Sequence, residues 1–231
     1  MFYFNFINPY IVYAFIIIFT ACTIHAIFNY RIFINKHKRI ILLIVSGLLI
    51  WTQIARYLGV FLKGEFTFTE SLPFYMCRLS VLVLLYYTLT KDKRVESFLF
   101  YWGATGLAGI IYPNGSIGNI VNLTETFYID HFFLSIMPFF LVVYQGYKPS
   151  LKDLLIITGL MAILLYSFIP INNLIGSDYF YLKDQSIIGI IFPGLSSYIF
   201  ATIHYLVAFV YFSIFYFGFR NKNYKIEQVK L

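Results

Sequence analysis

Seven stretches of continuous apolar side chains run through the sequence, at residues 9–28, 40–62, 72–90, 95–112, 127–145, 154–172 and 197–219. Each is close to the roughly twenty residues that carry a helix across about 30 Å of hydrocarbon. Apolar positions within the runs are continuous rather than alternating, which predicts helices and not the strands of a barrel. The expected fold class is therefore all-α: a polytopic membrane protein with seven transmembrane helices in one domain over residues 1–231, ending in a short basic tail at 220–231. The first run follows MFYFNFIN, which has no Lys or Arg. It lacks the basic start of a signal peptide and is expected to remain as a helix.

The polar residues between the runs set an orientation. Arg31, Lys36, Lys38 and Arg39 follow the first run, Lys91, Lys93 and Arg94 the third, Lys148 and Lys152 the fifth, and Arg220, Lys222, Lys225 and Lys230 the seventh. All thirteen fall on one side, whereas the other side has only Lys63 and Lys183 beside Glu65, Glu70, Glu125, Asp178 and Asp184. Because Lys and Arg accumulate in cytoplasmic loops, the N-terminus is expected outside and the C-terminus in the cytoplasm.

Composition agrees with the pattern. Hydrophobic residues make up 60% of the chain and charged residues 12%, and the mean hydropathy is +0.78, which excludes a water-soluble globule. The net charge of +7 follows from topology and from attraction to anionic cytoplasmic lipid, so no nucleic-acid partner is implied. The abundance of Ile, Phe, Tyr and Asn points to an AT-rich genome, and the expected location is a bacterial plasma membrane.

Against this apolar background, a few residues inside the runs carry chemistry. Arg56, the adjacent pair Cys77 and Arg78, His131 and His204 lie on four different runs, each in its outward half under the expected orientation. Ionisable groups in a bilayer are costly, so they mark candidate function. Thr52, Gln53 and Arg56 form a polar stripe, His131 and Ser135 share a face, and Ser197, Ala201, His204 and Ala208 form a small, polar stripe. Asn114, Asn172 and Asn173, at the outer ends of the fourth and sixth helices, can roof the same cavity. Asp130 can pair with Arg78 or Arg56, or serve as a cap at its helix start.

A cation beside Cys77 favours its thiolate. Cys22 has no such neighbour and reads as an apolar filler. Gly103, Gly106 and Gly109 predict close approach of a neighbouring helix. Pro138 predicts a kink, Ser150 and Asp153 a capping box, and residues 173–196 an interfacial or re-entrant lid with Tyr179, Phe180 and Tyr181. Two histidines and one cysteine on three helices form no close-spaced ligand motif, so neither a metal nor another cofactor is expected. The oligomeric state is open.

The stretches GEFTFTESLPFYMCRLS, FLFYWGATGLAGIIYPNGS, FYIDHFFLSIMPFF, QGYKPSLKDLL and INNLIGSDYFYL resemble, in this order, the YwaF-like family of bacterial integral membrane proteins. The family's Leu-Pro-x-His-x-Cys signature falls on Leu72, Pro73, Tyr75 and Cys77, its Tyr-x-Trp-Gly on Phe100, Trp102 and Gly103, and its Gly-Ser-Asn-Tyr on Gly176, Ser177, Asp178 and Tyr179. That family is similar to a vertebrate transmembrane acyltransferase that moves acyl chains between phospholipids through a cysteine thioester.

The resemblance implies Cys77 as nucleophile and His131 as general acid and base, with membrane phospholipid or another lipid as substrate. Arg56, Arg78, His204, Gln53, Tyr75, Asp130, Asn114 and Asn173 would bind substrate or act electrostatically. Tyr75 stands where the family has His, so either His204 takes over part of its work or the activity is altered. The alternative is a non-enzymatic transporter or lipid- or anion-binding protein that uses the same Arg and His cavity.

Overall fold

A computed structural model describes residues 9–69, 71–111, 125–183 and 192–222. Among them the regular structure is helical and contains no strand. Each apolar run contains one long helix: α1 (Pro9–Asn29), α2 (Arg31–Leu62), α3 (Met76–Thr90), α4 (Glu96–Ile111), α5 (Glu125–Phe140), α6 (Leu151–Ile175) and α7 (Ser197–Phe219). The stretches containing α1, α2, α5, α6 and α7 are long and apolar enough to cross a membrane, and α3 is a shorter apolar helix.

The fifth apolar stretch occupies the centre. Two-thirds of its most apolar window is buried (67%), against 11% for α1 and 22% for α7. Exposed apolar side chains such as Phe15, Ile18, Trp51, Ile163 and Ile214 cover the outside. That arrangement suits helices whose solvent on the outer face is lipid.

Helix α4 packs most intimately on α5 because its contact stripe has no side chains. A methyl group at Gly106 would lie 2.8 Å from the Ser135 backbone nitrogen and 2.9 Å from the His131 carbonyl oxygen. Gly103 approaches the Leu134 carbonyl and the Pro138 ring in the same way. The predicted glycine contact is thus the α4–α5 seam. Phe100, Tyr101 and Trp102 fill the core on the other faces of α4.

Several local signals have the structure their chemistry demands. Pro138 removes an intrahelical donor, and the chain loosens into a π-helical turn at Leu141–Gln145 before Gly146 ends it in the left-handed region (φ 71°). Ser150 and Asp153 form the expected capping box at the start of α6. The third helix differs from expectation: it starts at Met76 and not at residue 72, because Tyr75 is extended and the residues before it form a loop. Helix α2 is also longer than its apolar run and includes the basic Arg31–Arg39 turns.

Helices α6 and α7 pair with one another, and Tyr166 and Thr202 share a 2.7 Å hydroxyl contact between them. Tyr211 of α7 donates to the Ala104 carbonyl at 2.6 Å, which fastens this pair to α4.

Candidate functional site

A buried polar layer is built from α2, α3 and α5. The α2 stripe faces Asp130: Thr52 Oγ1 donates to Asp130 Oδ1 at 2.5 Å, and Gln53 Nε2 donates to Oδ2 at 2.6 Å. Asp130 is thereby held by hydroxyl and amide donors rather than by a close arginine ion pair. Arg56, one turn beyond on the same stripe, lies within electrostatic range of Asp130, Arg78 and Cys77. Two guanidiniums, one carboxylate and one thiol thus lie within electrostatic range, Arg78 and Asp130 buried and Arg56 and Cys77 half-buried.

The local sequence around α3 positions the cation. Arg78 is buried, its Nη1 donates to the Leu72 carbonyl at 2.6 Å, and its guanidinium carbon lies 4.6 Å from the centroid of the Tyr75 ring. The cation is satisfied by a backbone acceptor and an aromatic face, both supplied by the loop that precedes its own helix. Cys77, the residue before Arg78, is a half-buried free thiol.

A second loop locks the first. Gly176 ends α6 in the left-handed region (φ 69°), after which Ser177 Oγ and the Tyr179 N–H both donate to Asn172 Oδ1, at 2.7 and 3.0 Å. Asn172 Nδ2 returns a bond to the Tyr179 carbonyl at 2.9 Å. Tyr179, completely buried, sends its hydroxyl to the Phe68 carbonyl and accepts from the Leu72 N–H, both at 3.0 Å. Tyr75 packs on Tyr179 and Tyr181, whose ring centroids are 5.1 and 5.7 Å away. The post-α6 segment and the Leu72–Tyr75 loop form one aromatic clasp over Arg78. Phe180 and Tyr181 have φ of 65° and 53°, an unusual conformation for aromatic residues that this clasp holds in place.

His131 takes a different direction from its neighbour Asp130, as successive residues on a helix must. Its Nδ1 donates to the Phe127 carbonyl at 2.8 Å, and its ring stacks on Phe127 with centroids 3.9 Å apart. That bond puts the proton of a neutral imidazole on Nδ1 and leaves Nε2 as the free base. Nε2 lies against Gly109 of α4. Helices α3 and α4 are antiparallel around the short turn at residues 91–95, and Cys77 and Gly109 each stand thirteen residues into their helices from it, about 20 Å along the axis. Cys77 and the glycine on which the imidazole rests therefore stand at a similar depth, and no hydrogen bond joins the thiol to the imidazole.

The other sequence candidates are distributed unevenly. His204 donates through Nδ1 to the Phe200 carbonyl at 2.8 Å on α7 and makes no hydrogen bond or ion pair with the Arg56–Asp130 group. Asn173 is exposed, and its neighbour Asn172 does the structural work. Asn114 and residues 184–191 of the expected lid lie outside the described residues. Cys22 is exposed on α1. Thr52 is the bonding partner that a search for ionisable residues does not weigh; its only signal was the polar stripe it shares with Gln53.

A model of the TMEM164 family matches residues 3–220. The chain belongs to the TMEM164 family. This is a membrane protein family, in keeping with the apolar helices, and the match covers both loops of the clasp and every residue of the polar layer. Neither a curated protein nor a solved structure matches the chain significantly.

Proposed function

We propose that this family member is a multi-pass membrane acyltransferase that moves a fatty acyl chain between lipids through a thioester on Cys77. The observation that carries the reading is the placement of a single thiol among Arg56, Arg78 and Asp130 in the bundle interior. The resemblance of the Leu72–Cys77 and Gly176–Tyr179 segments to the YwaF-like family, itself similar to a transmembrane acyltransferase, supports the same chemistry. Buried charge of this kind costs stability, and a packing role alone has no use for it.

In the first half-reaction the Cys77 thiol gives its proton to His131 Nε2, and the thiolate attacks the ester carbonyl. The ester C–O bond breaks, the lysolipid oxygen takes the proton from His131, and the acyl chain remains as a thioester. In the second half an acceptor hydroxyl surrenders its proton to His131 and attacks the thioester carbonyl; the C–S bond breaks, and His131 returns the proton to the departing Cys77 sulfur. Arg56 or Arg78 stabilises the oxyanion or holds the lipid phosphate. Tyr75, in the position of the family histidine, holds Arg78 by its ring face, so the base role rests on His131.

With seven spans and the basic loops in the cytoplasm, the layer lies near the glycerol backbone of the outer leaflet, where lipid esters are found. The two arginines also favour the rival reading, a site that binds an anionic lipid without reacting. Transfer of a labelled acyl chain from phospholipid to lysophospholipid by the reconstituted protein separates the two. Cys77→Ser should abolish transfer while lipid is still bound; a Cys77→Ser protein with full transfer would refute the thioester route.

A further inference from the structure

A second polar feature lies at the opposite ends of α2 and α3, remote from Cys77. Lys38 and Arg39 of α2, Lys91 at the end of α3 and Gln145 at the end of the π-helical turn line a groove of about 500 Å³. Lys38 is oriented by donating to the Tyr144 carbonyl at 3.1 Å, and Lys91 sits in the left-handed region (φ 57°) with its ammonium 5.5 Å from the Tyr87 ring centroid. Arg39 and Lys91 are close enough to repel one another.

The nearest acidic side chain in sequence does not relieve this repulsion. Asp92 is committed to Arg94, whose Nη2 it accepts at 2.7 Å, and to the Tyr86 hydroxyl at 3.0 Å. Among the described residues no carboxylate forms an ion pair with Lys38, Arg39 or Lys91. Three cations facing one groove, with no ion-paired carboxylate among the described residues, are arranged for an anion with several oxygens. The groove is also flanked by Leu43 and Leu89, which are 48% and 70% exposed. Apolar side chains beside the cations suit a ligand whose anionic head continues into acyl chains, which free phosphate does not.

We infer that this groove is a binding site for the phosphate headgroup of an anionic phospholipid, separate from the Cys77 layer. Lys38, Arg39 and Lys91 take the phosphate oxygens, the Gln145 amide serves the remaining headgroup polar atoms, and the acyl chains lie along Leu43 and Leu89. The site stands independently of the acyl-transfer reading, because none of its residues belongs to that layer.

Native mass spectrometry of the detergent-purified full chain tests it, with phosphatidylglycerol and phosphatidylcholine of identical acyl chains as probes. Phosphatidylglycerol should bind the wild type more tightly than phosphatidylcholine. Replacing two cations (Arg39→Gln with Lys91→Asn) should weaken phosphatidylglycerol by about 25-fold, at about fivefold for each juxtamembrane cation. The charge-preserving pair Arg39→Lys with Lys91→Arg should retain it, as should Lys152→Gln on α6. Equal binding of the two lipids, undiminished binding by the double variant, or an equal loss in Lys152→Gln would overturn the site. Displacement of phosphatidylglycerol by equimolar inorganic phosphate would overturn its assignment to a lipid.

Discussion

The imidazole of His131 occupies the space that a side chain on Gly109 would need: a methyl group there would lie 2.3 Å from Cδ2 and 2.8 Å from Nε2. The glycine is thus the floor on which the ring rests, while the Phe127 carbonyl and ring fix its tilt. Gly109→Ala is expected to turn the ring out of this position. Acyl transfer should fall toward the level of His131→Ala, a loss of about 10²–10⁴-fold, while the melting temperature changes little.

Gly106→Ala should behave in the opposite way. Its methyl group would meet backbone atoms of α5, which cannot rotate aside, so the α4–α5 seam must open. A loss of about 1–3 kcal/mol is expected, visible as a lower thermal unfolding midpoint in detergent. Equal midpoints for Gly106→Ala and Gly109→Ala would contradict the distinction between a backbone seam and a side-chain floor.

Asp130 joins α5 to α2. Asp130→Ala strands the Gln53 amide and leaves the Thr52 hydroxyl only the Leu49 carbonyl (2.7 Å), and should cost about 1–3 kcal/mol, measured by chemical or thermal unfolding. Asp130→Asn keeps the size and one acceptor oxygen and should cost less. If the pair instead served only as a counter-charge to Arg56, the Asn variant would be as damaging as the Ala variant.

The clasp depends on Asn172 and not on its neighbour. Asn172→Ala removes three hydrogen bonds to Ser177 and Tyr179 and should free the Gly176–Leu182 segment, with amide exchange at Tyr179 faster by at least about tenfold. Asn173→Ala, on an exposed position, should leave exchange within about twofold of the wild type. The reverse ranking would contradict the clasp.

These contrasts show what the sequence could and could not reveal. Continuous apolar runs announce helices directly, and the capping box at Ser150 and the glycine seam of α4 are local patterns with local causes. The start of α3 was misplaced because Leu72 and Phe74 are apolar for a different reason: they belong to the clasp, where Phe74 packs on Phe168 and Tyr179. The partner of Asp130 was not legible because charge suggested an arginine, whereas in an apolar interior a hydroxyl and an amide satisfy a carboxylate without bringing a second charge into contact. Which helix faces which is a tertiary property, and it separates His204 on α7 from a layer that its depth alone had suggested.

The central claim concerns Cys77, and intact-protein mass spectrometry of the purified chain after incubation with phospholipid addresses it most directly. A mass increase equal to one acyl chain, removed by hydroxylamine and absent from Cys77→Ser, is the predicted result. An unmodified wild-type chain that nonetheless retains bound phospholipid would contradict the thioester and leave the layer as a binding site.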